Sequence, residues 1–172
     1  MTPAQIIAVM PFASTRAMAF AQPLTDAMAE HGITTPKLQA AFVAQIAYES
    51  EEFRFTREIA SGEAYEGRVD LGNDQPGDGV KLKGRGLLQI TGRTNYAACG
   101  AALGLPLTET PTLLEAPASA CRSAAWFWVK RGLSELADED KFGEITRHIN
   151  GGFLGLDARL AYWLKATKEF GL

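Results

Sequence analysis

Two glutamates in the first half of the chain have the chemistry to cleave a glycosidic bond. Glu49 stands in the run AQIAYESEEF, among Ala, Ile, Tyr and Phe, and Glu58 follows nine residues later in FRFTREIASGEAY. Partial burial of a carboxyl group disfavours its ionised form, which suits Glu49 to the work of a general acid near neutral pH. A second carboxylate across a cleft would activate water, and Glu63 and Glu66 compete with Glu58 for that role. Taken alone, a glutamate at a helix end is more often solvated or salt-bridged, and Glu51 and Glu52 are expected on such a wet outer face.

Residues 83–96, KGRGLLQITGRTNY, supply the polar groups a sugar would need. Gly84, Gly86 and Gly92 allow close backbone approach, Gln89 and Thr91 alternate on one side of a short extended run, and Asn95 follows one helical turn later. These amides and the hydroxyl suit hydrogen bonds to sugar hydroxyls or to a held water. Neither GxGxxG nor GxxxxGK[ST] is present, so the stretch is not a phosphate loop. Near the C-terminus, EITRHINGGFLGLDARLAYW places Asn150 at a helix end before Gly151 and Gly152, as a C-cap residue or as an amide facing a cleft. His31 and His148 stand apart, and Cys99 and Cys121 match no zinc or redox spacing. Neither a metal nor another cofactor is therefore expected, and the cysteines read as small buried residues.

The elements that must position these groups are mostly helices. With 172 residues, 47% hydrophobic and 22% charged, the chain fits one domain with a core. Thr2-Pro3 opens a helix ending before Pro11, Ser14 or Thr15 caps a second through about Glu30, and Thr35-Pro36 opens a third. Leu38, Ala41, Phe42, Gln45, Ile46 and Glu49 share one face of that third helix. From Ser50 to about Lys83 the periodicity fails, with short strands expected around Leu71 and Val80–Leu82. Helices then follow over Thr91–Leu103, Pro117–Lys130, Asp138–Asn150 and Asp157–Phe170.

Seventeen Lys and Arg against twenty Asp and Glu give a net charge of −3, so no global basic field exists and nucleic acid is not an expected partner. Lys81, Lys83, Arg85 and Arg93 form a local basic strip beside the proposed cleft. The first residues lack both a basic leader and a continuous apolar stretch, so neither a secretion signal nor a stable membrane insertion is expected.

In order, AQIAYESEEF, FTREI, KGRGLLQITGRTNY, and ITRHINGG with DARLAYW resemble the family 19 glycoside hydrolases, shared by plant chitinases and many phage endolysins. LGNDQPGDGVKLKGRG looks closest to the phage endolysin branch. The resemblance implies a mainly α, lysozyme-like and chitinase-like bilobal single domain over residues 1–172 with few short strands. Its N-terminal helical region would cover about 1–35 and its cleft residues about 38–165. It implies inverting hydrolysis of a β-1,4 bond between amino sugars, with Glu49 as acid, Glu58 as base and Thr91 helping to hold the water. By the same resemblance Gln89, Asn95 and Asn150 bind sugar, Arg159 supports the catalytic network, and Tyr48 stands where plant enzymes carry histidine. An inverting pair would hold its carboxyl groups roughly 6.5–9.5 Å apart. The substrate so implied is the peptidoglycan glycan strand, cut between N-acetylmuramic acid and N-acetylglucosamine; the alternatives are chitin hydrolysis and a non-catalytic wall-binding homologue. The endolysin reading further implies a monomer made in a host cytoplasm, reaching the wall through a separate membrane-permeabilising protein.

Overall fold

The computed structural model describes residues 1–172. Threonine–proline pairs start two of its helices. The Thr2 hydroxyl accepts from the Gln5 amide at 3.2 Å while the Gln5 side chain accepts from the Thr2 amide at 2.8 Å, a capping box that opens α1 (Pro3–Val9). Thr35 accepts from the Leu38 amide at 3.3 Å and opens α3 (Pro36–Glu49). Between them α2 (Ser14–Glu30) begins on Ser14 itself, directly after a 3₁₀ turn, Pro11–Ala13. Neither Ser14 nor Thr15 caps it, because that turn already leads the chain into the helix.

The rest of the chain adds α4 (Asp78–Lys81), α5 (Arg93–Leu103), α6 (Pro117–Lys130), α7 (Leu133–Asp138), α8 (Phe142–Asn150) and α9 (Leu156–Glu169). The single helix expected over Asp138–Asn150 starts later, at Phe142, after a break at which Asp140 takes a left-handed conformation (φ 58°). Expected strands near Leu71 and Val80–Leu82 are absent. Leu71 ends a 3₁₀ turn, and Val80 lies in α4, whose turn closes through Lys81 N–H to Gly77 O at 3.0 Å and Leu82 N–H to Asp78 O at 2.8 Å. Extended pairing is limited to isolated bridges, Arg57 with Arg85 and Arg85 with Ile90.

Two apolar cores give the chain two lobes. The larger gathers residues from α1, α2, α3, α6, α7, α8 and α9, and Trp128 meets Phe42 edge-on within it at 5.3 Å. The third helix runs through its middle: Ala40 to Ala47 are all buried, so α3 is enclosed on every side and has no solvent face along that stretch. Its most extensive neighbour is α9. A smaller core of Leu82, Ile90, Tyr96, Cys99, Leu103, Leu107 and Leu114 lies under α5. Phe127 of α6 packs against both. Cys99 and Cys121 are buried and unpaired, and burial pushes the Cys99 thiol up to about 12 and raises that of Cys121, so neither is a nucleophile near neutral pH.

Polar bonds order the long irregular segment. The Glu66 carboxylate accepts from the Gly77 and Gly79 amides at 2.6 and 2.8 Å. Buried Asn73 donates to Tyr65 O at 2.8 Å and accepts from the Arg93 amide at 2.9 Å. The same bonding dissolves the basic strip. Arg85 is buried on Glu115 at 2.9 Å, Arg93 is paired with Asp78, and Lys83 donates to Ala60 O at 2.6 Å, leaving Lys81 alone of the four without such a partner.

The Arg93 guanidinium holds the carboxyl of buried Asp78 below its ordinary value of 3.8. The stability this supplies is fully present above that ordinary value and is lost as the pH falls through the lower folded one. Asp78→Asn should therefore lower the Tm at neutral pH and flatten the loss of Tm on acidification below pH ~4. Parallel acid profiles for the two proteins would show that the pair contributes nothing.

Candidate active site

Glu49 is the last residue of α3, and its carboxylate meets a guanidinium buried between helices. Arg159 of α9 has no solvent exposure; its Nη2 donates to Glu49 Oε1 and its Nη1 to Gln45 Oε1 at 2.6 Å. Gln45 lies one turn before Glu49 on the same face of α3. Its Nε2 donates to Thr146 Oγ1 at 2.9 Å, and that hydroxyl donates to Phe142 O at 3.3 Å. Each buried polar group thereby has a partner, and the chain of bonds ties α3, α8 and α9 together. The Tyr48 ring completes the enclosure, with the guanidinium carbon 4.1 Å from its centroid. Glu49 Oε2 makes no hydrogen bond to protein, so one oxygen is anchored and the other is available.

A cavity of about 210 Å³ opens beside Glu49, and Gln89, Thr91, Asn95, Leu88 and Arg131 are among its walls. The three polar residues expected to bind sugar or water thus do converge on Glu49. Their backbone is a tight hairpin turn rather than an extended run: Arg85 and Ile90 exchange bonds of 3.1 and 2.7 Å, and Gln89 takes a positive φ of 50°. Gln89 holds that conformation by donating from Nε2 to Gly86 O at 3.0 Å. Thr91 donates to Gln89 O at 3.0 Å and Asn95 to Thr91 O at 2.8 Å, so each side chain is braced by one bond. The Gln89 and Asn95 side-chain carbonyls remain free to accept from a ligand.

Glu58 stands on the other side of Gln89 and does not line this cavity. Its Oε1 accepts from the Tyr65 hydroxyl at 2.9 Å and its Oε2 from the Gly84 amide at 3.1 Å. Gly84 is required there, since a Cβ would collide with Gln89 Oε1 and lie 3.2 Å from Glu58 Oε2. Burial and the Glu58 hydrogen bond raise the Tyr65 phenol above its ordinary value, which keeps it protonated as a donor. Of the competing carboxylates, Glu66 is used by backbone amides and Glu63 is exposed.

Tyr48 and Glu49 also border a second cavity of about 440 Å³ with Glu51, Ala158 and Tyr162. Asn150 ends α8 before a left-handed Gly151 (φ 81°), as a helix end requires; its side chain is exposed and makes no hydrogen bond, while Ile149 lines the cavity. Glu51 is exposed as expected, but Glu52 is buried at 3% exposure, because the chain turns left-handed after Glu49 and carries that carboxylate inward. Sequence reasoning passed over Gln45, Thr146, Tyr65 and Arg131. Gln45 alone left a signal, as a polar residue four positions before Glu49 on an otherwise apolar helix.

Comparison with known proteins gives the family and the fold. The family model described as chitinase class I, Glyco_hydro_19, matches residues 28–136. A glycosyl hydrolase family 19 domain-containing protein of Haemophilus influenzae is 38% identical over 102 residues, 59% of this chain and 49% of that protein. An Arabidopsis thaliana endochitinase is 36% identical over 140 residues, covering 77% of this chain and 48% of its own length. The chain spans about half the length of these curated relatives. Among solved structures, chitinase C of Streptomyces griseus superposes with a TM-score of 0.80 at 24% identity, over 98% of this chain and 75% of that one. A bacterial family 19 chitinase gives 0.79 at 23% identity, over 98% and 94%. These superpositions bear out the mainly α, chitinase-like fold.

Arg159→Met would leave Gln45 and Glu49 without their shared donor. Removing one partner of a buried ion pair costs about 3–5 kcal/mol, and the partial exposure of Glu49 places this case at the lower end. Urea unfolding should show that loss; a change below about 1 kcal/mol, the size of an exposed pair, would mean that the network does not hold the helices.

Proposed function

Because this chain belongs to glycoside hydrolase family 19, we propose that it hydrolyses β-1,4 bonds between amino sugars, with the peptidoglycan glycan strand as its polymer. The arrangement of Glu49 carries the reading. Arg159 anchors Oε1 and leaves Oε2 without a protein partner beside a cavity walled by Gln89, Thr91 and Asn95. A glycan-binding protein that cuts nothing has no need of such an acid.

In the proposed reaction Glu49 gives its proton to the glycosidic oxygen as the bond to the anomeric carbon breaks. A water held with the help of Thr91 attacks from the opposite face and loses its proton to Glu58, inverting the configuration; since Glu58 lies outside the cavity beside Glu49, the bound glycan must span both sides of Gln89 for this transfer. Tyr65 and the Gly84 amide hold Glu58 in place for that transfer. Gln89 and Asn95 would accept from sugar hydroxyls, and Asn150 would reach the glycan from the cleft rim.

Arg131 favours peptidoglycan as the polymer. It lines the cavity with its guanidinium 5.0 Å from the Phe127 ring centroid and pairs with no carboxylate of the protein. In peptidoglycan the lactyl group of N-acetylmuramic acid carries a stem peptide whose free carboxylates such a cation can meet, whereas chitin offers none. Chitin is the second reading, supported by the endochitinase names of the plant relatives. On the endolysin reading the protein is a monomer made in a host cytoplasm and acts on the wall once a separate protein permeabilises the membrane. No helix is long and apolar enough to cross a membrane.

Glu49→Gln keeps the shape of the side chain but cannot protonate a leaving group. It should reduce clearing of permeabilised bacteria by at least ~100-fold while retaining glycan binding and the circular dichroism spectrum. Undiminished clearing would refute the assignment of the acid. Arg131→Gln should cut hydrolysis of peptidoglycan about tenfold, one lost charge-assisted contact, and leave chitooligosaccharide hydrolysis within about twofold. Release of sugars from soluble chitin with no clearing of bacteria would establish the chitinase reading instead.

A further inference from the structure

Glu52 is a buried carboxylate that the proposed reaction does not use. It lies in a left-handed turn directly after α3, where Glu51, Glu52 and Phe53 have φ of 46°, 58° and 66°. Residues with side chains seldom adopt this region, and a run of them persists only where surrounding bonds dictate it. Several do so here. The Ser50 hydroxyl donates to Ile46 O at 2.6 Å and accepts from the Phe53 amide at 2.9 Å, and the Phe53 ring stacks on Phe20 at 4.4 Å.

The side chain of Glu52 ties the turn to two other elements. Its Oε1 accepts from the Tyr162 hydroxyl of α9 at 2.8 Å, and its Oε2 accepts from the Phe12 amide beside the start of α2. Arg16 adds a bond from Nε to Glu52 O at 3.2 Å. Burial and the Glu52 hydrogen bond raise the Tyr162 phenol well above its ordinary value, so it remains a donor. Arg159 and Tyr162 are three residues apart on α9, and Glu49 and Glu52 are three apart across the end of α3. Arg159 and Tyr162 at that spacing share a face of α9, so α9 is held at two neighbouring points, by Glu49 and by Glu52. Glu52 does not line the cavity beside Glu49; it borders a separate one with Phe12, Arg16 and Tyr162.

We propose that Glu52 is a positioning residue for the hydrolysis. Its bonds to Tyr162 and the Phe12 amide fix the rotation of α9 against the end of α3, and thereby the alignment of Arg159 with Glu49 Oε1. The inference rests on the glycosidase reading and goes beyond it by assigning part of the catalytic rate to a group that never meets substrate.

Steady-state kinetics of the full chain on solubilised peptidoglycan and on a chitooligosaccharide test this, with rates normalised to folded protein below the Tm of each variant. Glu52→Leu should lower kcat about tenfold with KM within about twofold, the signature of misaligned chemistry rather than lost binding. Tyr162→Phe, which removes one hydroxyl, should lower kcat about threefold with KM unchanged, and the two losses should not multiply in the double variant. Glu52→Gln should restore kcat to within about twofold of the parent, since its carbonyl accepts from the Phe12 amide while its amide donates to the Tyr162 oxygen. Parent kcat in Glu52→Leu and Tyr162→Phe, with a lowered Tm alone, would overturn the proposal by showing a purely structural role. Loss in Glu52→Gln as deep as in Glu52→Leu would also overturn it, because the charge or proton of Glu52 would then be what matters. If Glu52→Leu does not fold, Tyr162→Phe decides. The parent and Glu49→Gln serve as references: no hydrolysis by the parent defeats the glycosidase reading, full activity in Glu49→Gln defeats the assignment of the acid, and an inactive Glu49→Gln beside an unaffected Tyr162→Phe defeats this proposal alone.

Discussion

A guanidinium with no access to water is stable in a protein only if its donors are used, and the placement of Arg159 between α3 and α9 makes that demand on everything around it. Glu49, Gln45, Leu154 O and the Tyr48 ring answer it from different directions. Gln45 must then turn its amide towards Thr146, which brings in α8. Gly155 must lack a side chain, since a Cβ there would run into the Tyr48 phenol that covers the cation. The position of Glu49 is therefore a by-product of satisfying a buried charge.

The order of helices was legible because their starts are local chemistry. Thr2-Pro3 and Thr35-Pro36 need only the next few residues to cap a helix, and glycine or a charged turn marks most ends. What the sequence hid was the environment. The third helix read as one-faced, yet it is enclosed by helices distant in sequence, and alanines at 40, 41, 44 and 47 count as apolar without saying how closely those neighbours pack. Val80 and Leu82 have strand-forming side chains, but a segment bonded through Glu66, Asn73 and Asp78 leaves no partner strand for them.

The site was legible where residues act through short spacing. Gln89, Thr91 and Asn95 meet because one turn and one helix start place them together, and no long-range contact is needed. Glu52 misled because its burial depends on a left-handed turn of three residues that carry side chains. Each costs on the order of 1–3 kcal/mol locally and is held by distant groups, Phe20, Phe12 and Tyr162. The basic strip misled for a related reason: charges adjacent in sequence found acids elsewhere, and net attraction to an anionic polymer cannot be read from a row of lysines and arginines.

Phe127 packs against both cores and also lines the cavity beside Glu49. A ring shared in this way makes the two lobes one cooperative unit, since neither can lose its packing without exposing a surface the other needs. It also couples the mouth of the cavity to the volume of a single side chain. The shape of that cavity is thus governed from within the fold, and a change at this ring would alter melting cooperativity and cavity width together.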